Sequence, residues 1–261
     1  MTLSDHSGGL DRPTFTAKSD LARRFHAAWA GAEDPLTATP ELLPVRLTRA
    51  CVRVLPVVGA GLSLLSSDFR VPVGASDELA SVAEQLQFTQ GEGPCLDAAR
   101  QSRAVIAGED DIRQQWPLYA AEFFALTPYR AALCLPLRLG PDTTGALDLF
   151  VTDQDDLTAI SLPDAVAVCD EIIDALILAQ ASGGSIGAVS DEPEPAWLNT
   201  GMVRNRTNVW VAMGILMTWL RAPADTALAV LRGYCYSHGA LLDDIADDLI
   251  TGRLDAADLQ A

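Results

Sequence analysis

Residues Gln87–Asp97 read Q-F-T-Q-G-E-G-P-C-L-D, and this stretch decides how the first part of the chain folds. Gly91 and Gly93 flank Glu92, and Pro94 precedes Cys95-Leu96-Asp97-Ala98-Ala99-Arg100. Glycine reaches backbone conformations closed to residues with a Cβ, and proline at a first helical position has its φ pre-set. The stretch is therefore a tight turn feeding a short helix. Upstream, Asp77–Phe88 places Leu79, Val82, Ala83 and Leu86 on one helical face. Downstream, Ala104–Gly108 reads as a short strand.

The pattern extends outward from there. Ser19-Asp20 caps a helix through Leu21, Phe25, Ala28 and Trp29. Glu41–Leu55 repeats Leu43, Leu47, Cys51 and Leu55 every four residues, a helix. Val57–Ser66 and Phe69–Ser76 are strands joined by Ser67-Asp68 as a hairpin. Gly59-Ala60-Gly61 lacks the third glycine of a dinucleotide fingerprint, since Leu64 stands there, and reads as a glycine-rich inner strand. One helix is expected from Asp110 to Pro128, with Ile112, Trp116, Tyr119, Phe123 and Leu126 on one side. Arg130–Leu139 and Gly145–Thr152 form an antiparallel pair. Leu162–Leu178 closes the unit, and its Leu162, Val166, Cys169, Ile173 and Leu176 are spaced as a short heptad seam. That seam either packs on the sheet or pairs with a second chain.

Gln180–Pro195 is rich in Ser, Gly, Glu and Pro and reads as a linker. No strand signal follows. Met202–Leu220, Ala224–Ser237 and Leu241–Thr251 are three helices, with Gly239 and Gly252 as stops. The expected division is 1–37 for an N-terminal tail and helix, 38–180 for the first domain, 181–196 for the linker and 197–261 for the small helical domain. The fold class is α+β, an antiparallel sheet flanked by helices and followed by a three-helix bundle.

The 261 residues are 49% hydrophobic and 20% charged, enough to bury a core. The net charge of −17, from 35 acidic and 18 basic residues, opposes nucleic acid and anionic membrane at long range. Five isolated cysteines, an odd number without C-x-x-C, argue for a reducing cytoplasm rather than a disulfide framework. Met1–Asp11 lacks the layout of a signal peptide, and no apolar run is long enough to span a bilayer. His6, His26 and His238 stand at no ligand spacing, so neither a metal site nor a cofactor is expected. No catalytic serine motif or phosphate loop is present, and the chain is not read as an enzyme.

With G-E-G-P-C-L-D-A at 91–98, Trp116-Pro117, L-P-L-R-L-G at 135–140 and G-A-L-D-L-F at 145–150, the first domain resembles the GAF sensor family. The helical unit resembles the ANTAR family, on Ala212-x-Gly214-Ile215-Leu216-Met217, Ala227 with Leu231-Arg232, and Leu242-x-x-Ile245-Ala246-x-x-Leu249. The resemblance implies a transcription antitermination regulator. Such a protein binds paired stem-loops in nascent RNA, often as a homodimer, under control of a sensor that takes a small ligand or a partner. The RNA-binding candidates are Arg204, Arg206, Arg232, Tyr234 and His238. The candidates for a ligand pocket are Phe88, Gly91, Cys95, Trp116, Tyr119 and Leu135.

Two other readings stand beside this one. Residues 185–261 carry ten acidic residues against five arginines and no lysine, with Asp243, Asp244, Asp247 and Asp248 in the third helix. Val211 and Met213 also stand where ANTAR sequences commonly carry polar residues. Affinity for nucleic acid draws on Lys/Arg–phosphate contacts, so the unit could instead serve dimerisation or partner binding. Cys95, at a helix start, fits a thiol reductase of the free methionine sulfoxide type, some of which use a GAF scaffold. Glu92 close by would oppose its thiolate.

Overall fold

The computed structural model describes residues 19–31, 39–66, 69–139, 142–182 and 201–260. The expected tail at 1–18 and most of the linker lie outside them. Helices α1 (Asp20–Ala30) and α2 (Leu43–Val54) lead into a hairpin of β1 (Gly59–Ser66) and β2 (Phe69–Ala75). Then come α3 (Glu78–Gln90), α4 (Pro94–Gln101), β3 (Val105–Ala107), α5 (Glu109–Gln115) and α6 (Pro117–Leu126). Strands β4 (Ala131–Leu139) and β5 (Asp142–Val151) precede α7 (Leu162–Ser182). The helical unit is α8 (Gly201–Leu220), α9 (Ala224–His238) and α10 (Leu242–Thr251).

The five strands pair in the order β2-β1-β5-β4-β3, antiparallel throughout. Because side chains alternate along a strand, both faces of this sheet need cover. On one face Leu133, Leu135 and Leu137 of β4, with Leu147 and Leu149 of β5, pack against α1, α2 and α7. On the other face Ala132, Cys134, Ala146 and Phe150 lie under α3, α4 and α6. Helix α1 is tied to α2 by Arg53 donating to the Ala28 carbonyl at 3.1 Å and by Arg24 donating to the Val54 carbonyl at 3.3 Å.

One helix of the expected set is two. The chain breaks at Trp116-Pro117, where Trp116 sits at φ −135° and ψ 69°. Proline has no N–H and pushes the residue before it out of the helical region. The Glu92 carboxylate then accepts the free N–H groups of Leu118 (2.6 Å) and Tyr119 (3.0 Å) at the new helix start. Glu92 therefore caps α6 and does not act on Cys95.

The heptad seam on α7 also divides. Cys169 and Leu176 are buried against the sheet, whereas Leu162 and Val166 are exposed. Among the described residues, no helix is long and apolar enough to cross a membrane.

Candidate functional site

The most unusual chemistry lies under α3, on the sheet face where alternation puts Ser63 of β1 and Asp148 of β5. Arg70, on β2, reaches across both strands. Its Nε donates to Ser63 Oγ at 2.8 Å, and one guanidinium nitrogen donates to Glu84 Oε2 of α3 and, at 3.1 Å, to Asp148 Oδ2. The Arg70, Glu84 and Asp148 side chains are at most 2% exposed. Gly61 on β1 makes room for the cluster, since a Cβ there would collide with the Glu84 carboxyl group.

Gln87, one helical turn after Glu84, ties the cluster to the opening stretch. Its Nε2 donates to Asp148 Oδ2 at 2.9 Å, and its Oε1 accepts the Cys95 backbone N–H at 2.9 Å. A buried arginine between two carboxyl groups carries a large desolvation cost, met only by close pairing. Burial pushes the Glu84 carboxyl well above its ordinary range; Arg70 opposes this and Asp148 reinforces it. Arg70 lies between the two carboxyl groups as the cation of this cluster. Glu84 Oε1, Asp148 Oδ1 and the Tyr119 hydroxyl are buried without a hydrogen-bond partner. Such atoms ordinarily find partners, so this cluster holds unused polar capacity.

Of the six pocket candidates, the structure brings Cys95, Trp116 and Tyr119 together on this face, all buried. Leu135 is on the opposite face, as strand alternation requires. Phe88 turns away from the cluster and packs among the C-terminal helices. Gly91 sits at φ +70° with the Arg232 side chain against it. The six therefore do not wall one space: Cys95, Trp116 and Tyr119 share the sheet face of the Arg70 network, and Phe88 and Leu135 do not.

Cys95 is fully buried, 3.7 Å from Ser63 Oγ. Burial raises its thiol well above the ordinary value; Arg70 opposes this, and Asp148 and Glu84 add to it. Burial first, and then the two carboxyl groups, oppose a thiolate here. All five cysteines are buried and unpaired. Among the described residues no group of three His, Cys, Asp or Glu side chains is placed to hold a metal.

The helical unit has its own core, in which Val209, Met213, Leu216, Leu228, Leu231 and Leu249 meet Phe88 of α3. Arg232 donates to the Phe88 carbonyl at 3.0 Å and lies 5.9 Å from the centre of its ring. Burial, then the like-charged Arg100, depresses the Arg232 guanidinium. Tyr234 and His238 stack on each other at 3.9 Å, and the His238 ring is within 3.0 Å of the Tyr234 carbonyl. The Arg204 and Arg206 side chains lie outside the described residues. In the acidic helix, Asp247 and Asp248 are bridged by Arg253 at 2.6 and 2.5 Å. Of the described RNA-binding candidates, Arg232 faces α3, while Tyr234 and His238 stack on each other in the last turn of the same helix.

Arg70, Glu84, Asp148 and Gln87 were not among the sequence candidates. Their signal was faint: a lone arginine in the apolar run of β2, and Asp148 between Leu147 and Leu149 in a strand with both faces covered.

No family model matches the chain, and no curated protein matches it. Among solved structures, 23 chains match. One is fRMsr of Staphylococcus aureus in complex with substrate, at 14% identity and TM-score 0.43, covering 61% of this chain and 97% of that one. Another is the GAF domain of an Acinetobacter phosphoenolpyruvate-protein phosphotransferase, at 16% identity and TM-score 0.42, covering 63% and 95%. A third is the GAF domain of A. aeolicus nlh2 in an inactive state, at 11% and 0.37, covering 59% and 88%. The described unit these matches overlie is α+β, with a five-stranded antiparallel sheet. At such identities and TM-scores the matches carry no argument about activity, ligand or partner.

Proposed function

We propose that this chain is a cytoplasmic, signal-responsive regulator and not an enzyme. Its GAF-like unit senses a small ligand or a partner, and its ANTAR-like helical unit binds structured RNA to promote transcription antitermination. The observation that carries this reading is the double duty of α3. Glu84 and Gln87 belong to the buried polar cluster, while Phe88 and Thr89, on the next turn, contact the helical unit. A helix is stiff over so short a span, so a change in the cluster displaces the contact with the output unit. The unused polar atoms at Glu84, Asp148 and Tyr119 are where a polar ligand would gain most on entry. RNA binding is tested by titrating a pool of tandem stem-loop RNAs against salt.

A second reading makes the helical unit a dimerisation or partner-binding module. It is favoured by the exposed apolar Val211, Ile215 and Trp219, four residues apart along α8, and by the acidic α10. Light scattering after size exclusion tests it: a homodimer without affinity for the RNA pool supports it, and robust RNA binding rules it out.

A further inference from the structure

The contact between α3 and the helical unit is specific and built from both sides. Arg232 of α9 gives a charged hydrogen bond to the Phe88 carbonyl, and its guanidinium lies near the Phe88 ring. The Leu242 N–H, which opens α10 and has no partner within its own helix, donates to Thr89 Oγ1 at 3.2 Å. Phe88 is 5% exposed and Thr89 2%, so the seam is dry there. Gly91 completes it: its φ of +70° suits glycine, and a Cβ would stand 2.7 Å from an Arg232 nitrogen. The contact therefore covers a cation of the proposed output unit, one of only five arginines in residues 185–261. The like-charged Arg100 lies on the same side and works against this closure.

We infer that α3 and the turn after it form an autoinhibitory clasp that withholds Arg232 from RNA, released through the Glu84–Gln87 end of the same helix. This inference rests on the RNA-binding reading of the helical unit. RNA and the clasp compete for Arg232, so the coupling is reciprocal: opening the clasp tightens RNA binding, and bound RNA opens the clasp.

The test uses the full chain and a pool of synthetic tandem stem-loop RNAs with randomised loops. Hydrogen exchange of the first turn of α10, which includes the Leu242 amide, reports whether the clasp is closed. Phe88→Ala/Thr89→Val removes the ring beside Arg232 and the acceptor of the Leu242 N–H, keeps the residue-88 carbonyl, and should speed that exchange and tighten RNA binding roughly ten-fold, the scale of one net hydrogen bond. Adding Arg232→Met to that variant should return the affinity to near that of the wild type. In the wild type, saturating RNA should by itself speed exchange at the same turn, a measurement that needs no variant to fold. Faster exchange in the variant with unchanged affinity, or bound RNA with unchanged exchange, overturns the clasp and leaves RNA binding standing. If neither wild type nor opened variant retains the RNA, the RNA-binding reading fails and the clasp fails with it.

Discussion

Replacing Arg70 with methionine tests the buried cluster most severely. The change keeps an unbranched side chain of similar reach and deletes the guanidinium. Lost with it are the hydrogen bonds to Ser63 Oγ at 2.8 Å and Asp148 Oδ2 at 3.1 Å, and the pairing with Glu84. Two fully buried carboxyl groups are then left without a cation. Breaking a buried pair from one side costs about 3–5 kcal/mol. For a unit of this size that lowers the melting temperature by about 6–20 °C. The cost should also grow with pH, because without the guanidinium the ionisation of either buried carboxyl group goes uncompensated. The assay is thermal and urea denaturation from acid to mildly alkaline pH, followed by tryptophan fluorescence and far-UV dichroism. A loss below about 1 kcal/mol, or one that does not change with pH, would refute the account of the cluster.

Other variants probe neighbouring parts of the same design. Burial raises the Glu84 carboxyl in the fold above its ordinary 4.5, so its contribution is full below that value and falls as pH rises toward the raised folded value. Glu84→Gln removes this titration and should flatten the decline, by up to about 1.4 kcal/mol per pH unit across that window; an unaltered pH profile contradicts a raised Glu84. Glu92→Gln weakens the cap on Leu118 and Tyr119 and should cost about 1 kcal/mol in urea titrations, with no effect on thiol reactivity. A thiol reagent should label none of the five cysteines in the native state and all of them in denaturant; rapid native labelling of Cys95 would revive the reductase reading.

How far the sequence discloses this structure depends on the kind of signal. Helix α3 was legible from its apolar face, but it runs to Gln90, two residues past the expected end at Phe88, and Gly91 closes it in the left-handed conformation. The pairing of β4 with β5 was legible, but with both sheet faces covered the apolar run of β4 did not show that Leu135 lies on the face away from Cys95 and Tyr119. The break at Pro117 was missed because Ile112, Trp116, Tyr119 and Phe123 keep their helical spacing through it, all four being buried on one side. The cluster was missed for a different reason. In a chain with 35 acidic residues a buried carboxyl looks like a solvated one, and nothing local to Glu84 or Asp148 says that α3 covers them. Gly61 held the clue, since its small size is explained by the carboxyl group lying over it rather than by a nucleotide. The destination of Arg232 was equally invisible, because its partner Phe88 is 144 residues away in sequence.

The central claim is the proposal that the helical unit is an RNA-binding output under control of the α+β unit, and RNA affinity measured against salt tests it most directly. Fluorescence anisotropy with the tandem stem-loop pool should give saturable binding whose logarithm falls linearly with the logarithm of salt, by about 0.7 for each phosphate neutralised. The Phe88→Ala/Thr89→Val protein should bind more tightly than the wild type. Absence of binding by both proteins at the lowest salt would contradict the claim and leave the unit as a dimerisation or partner-binding module.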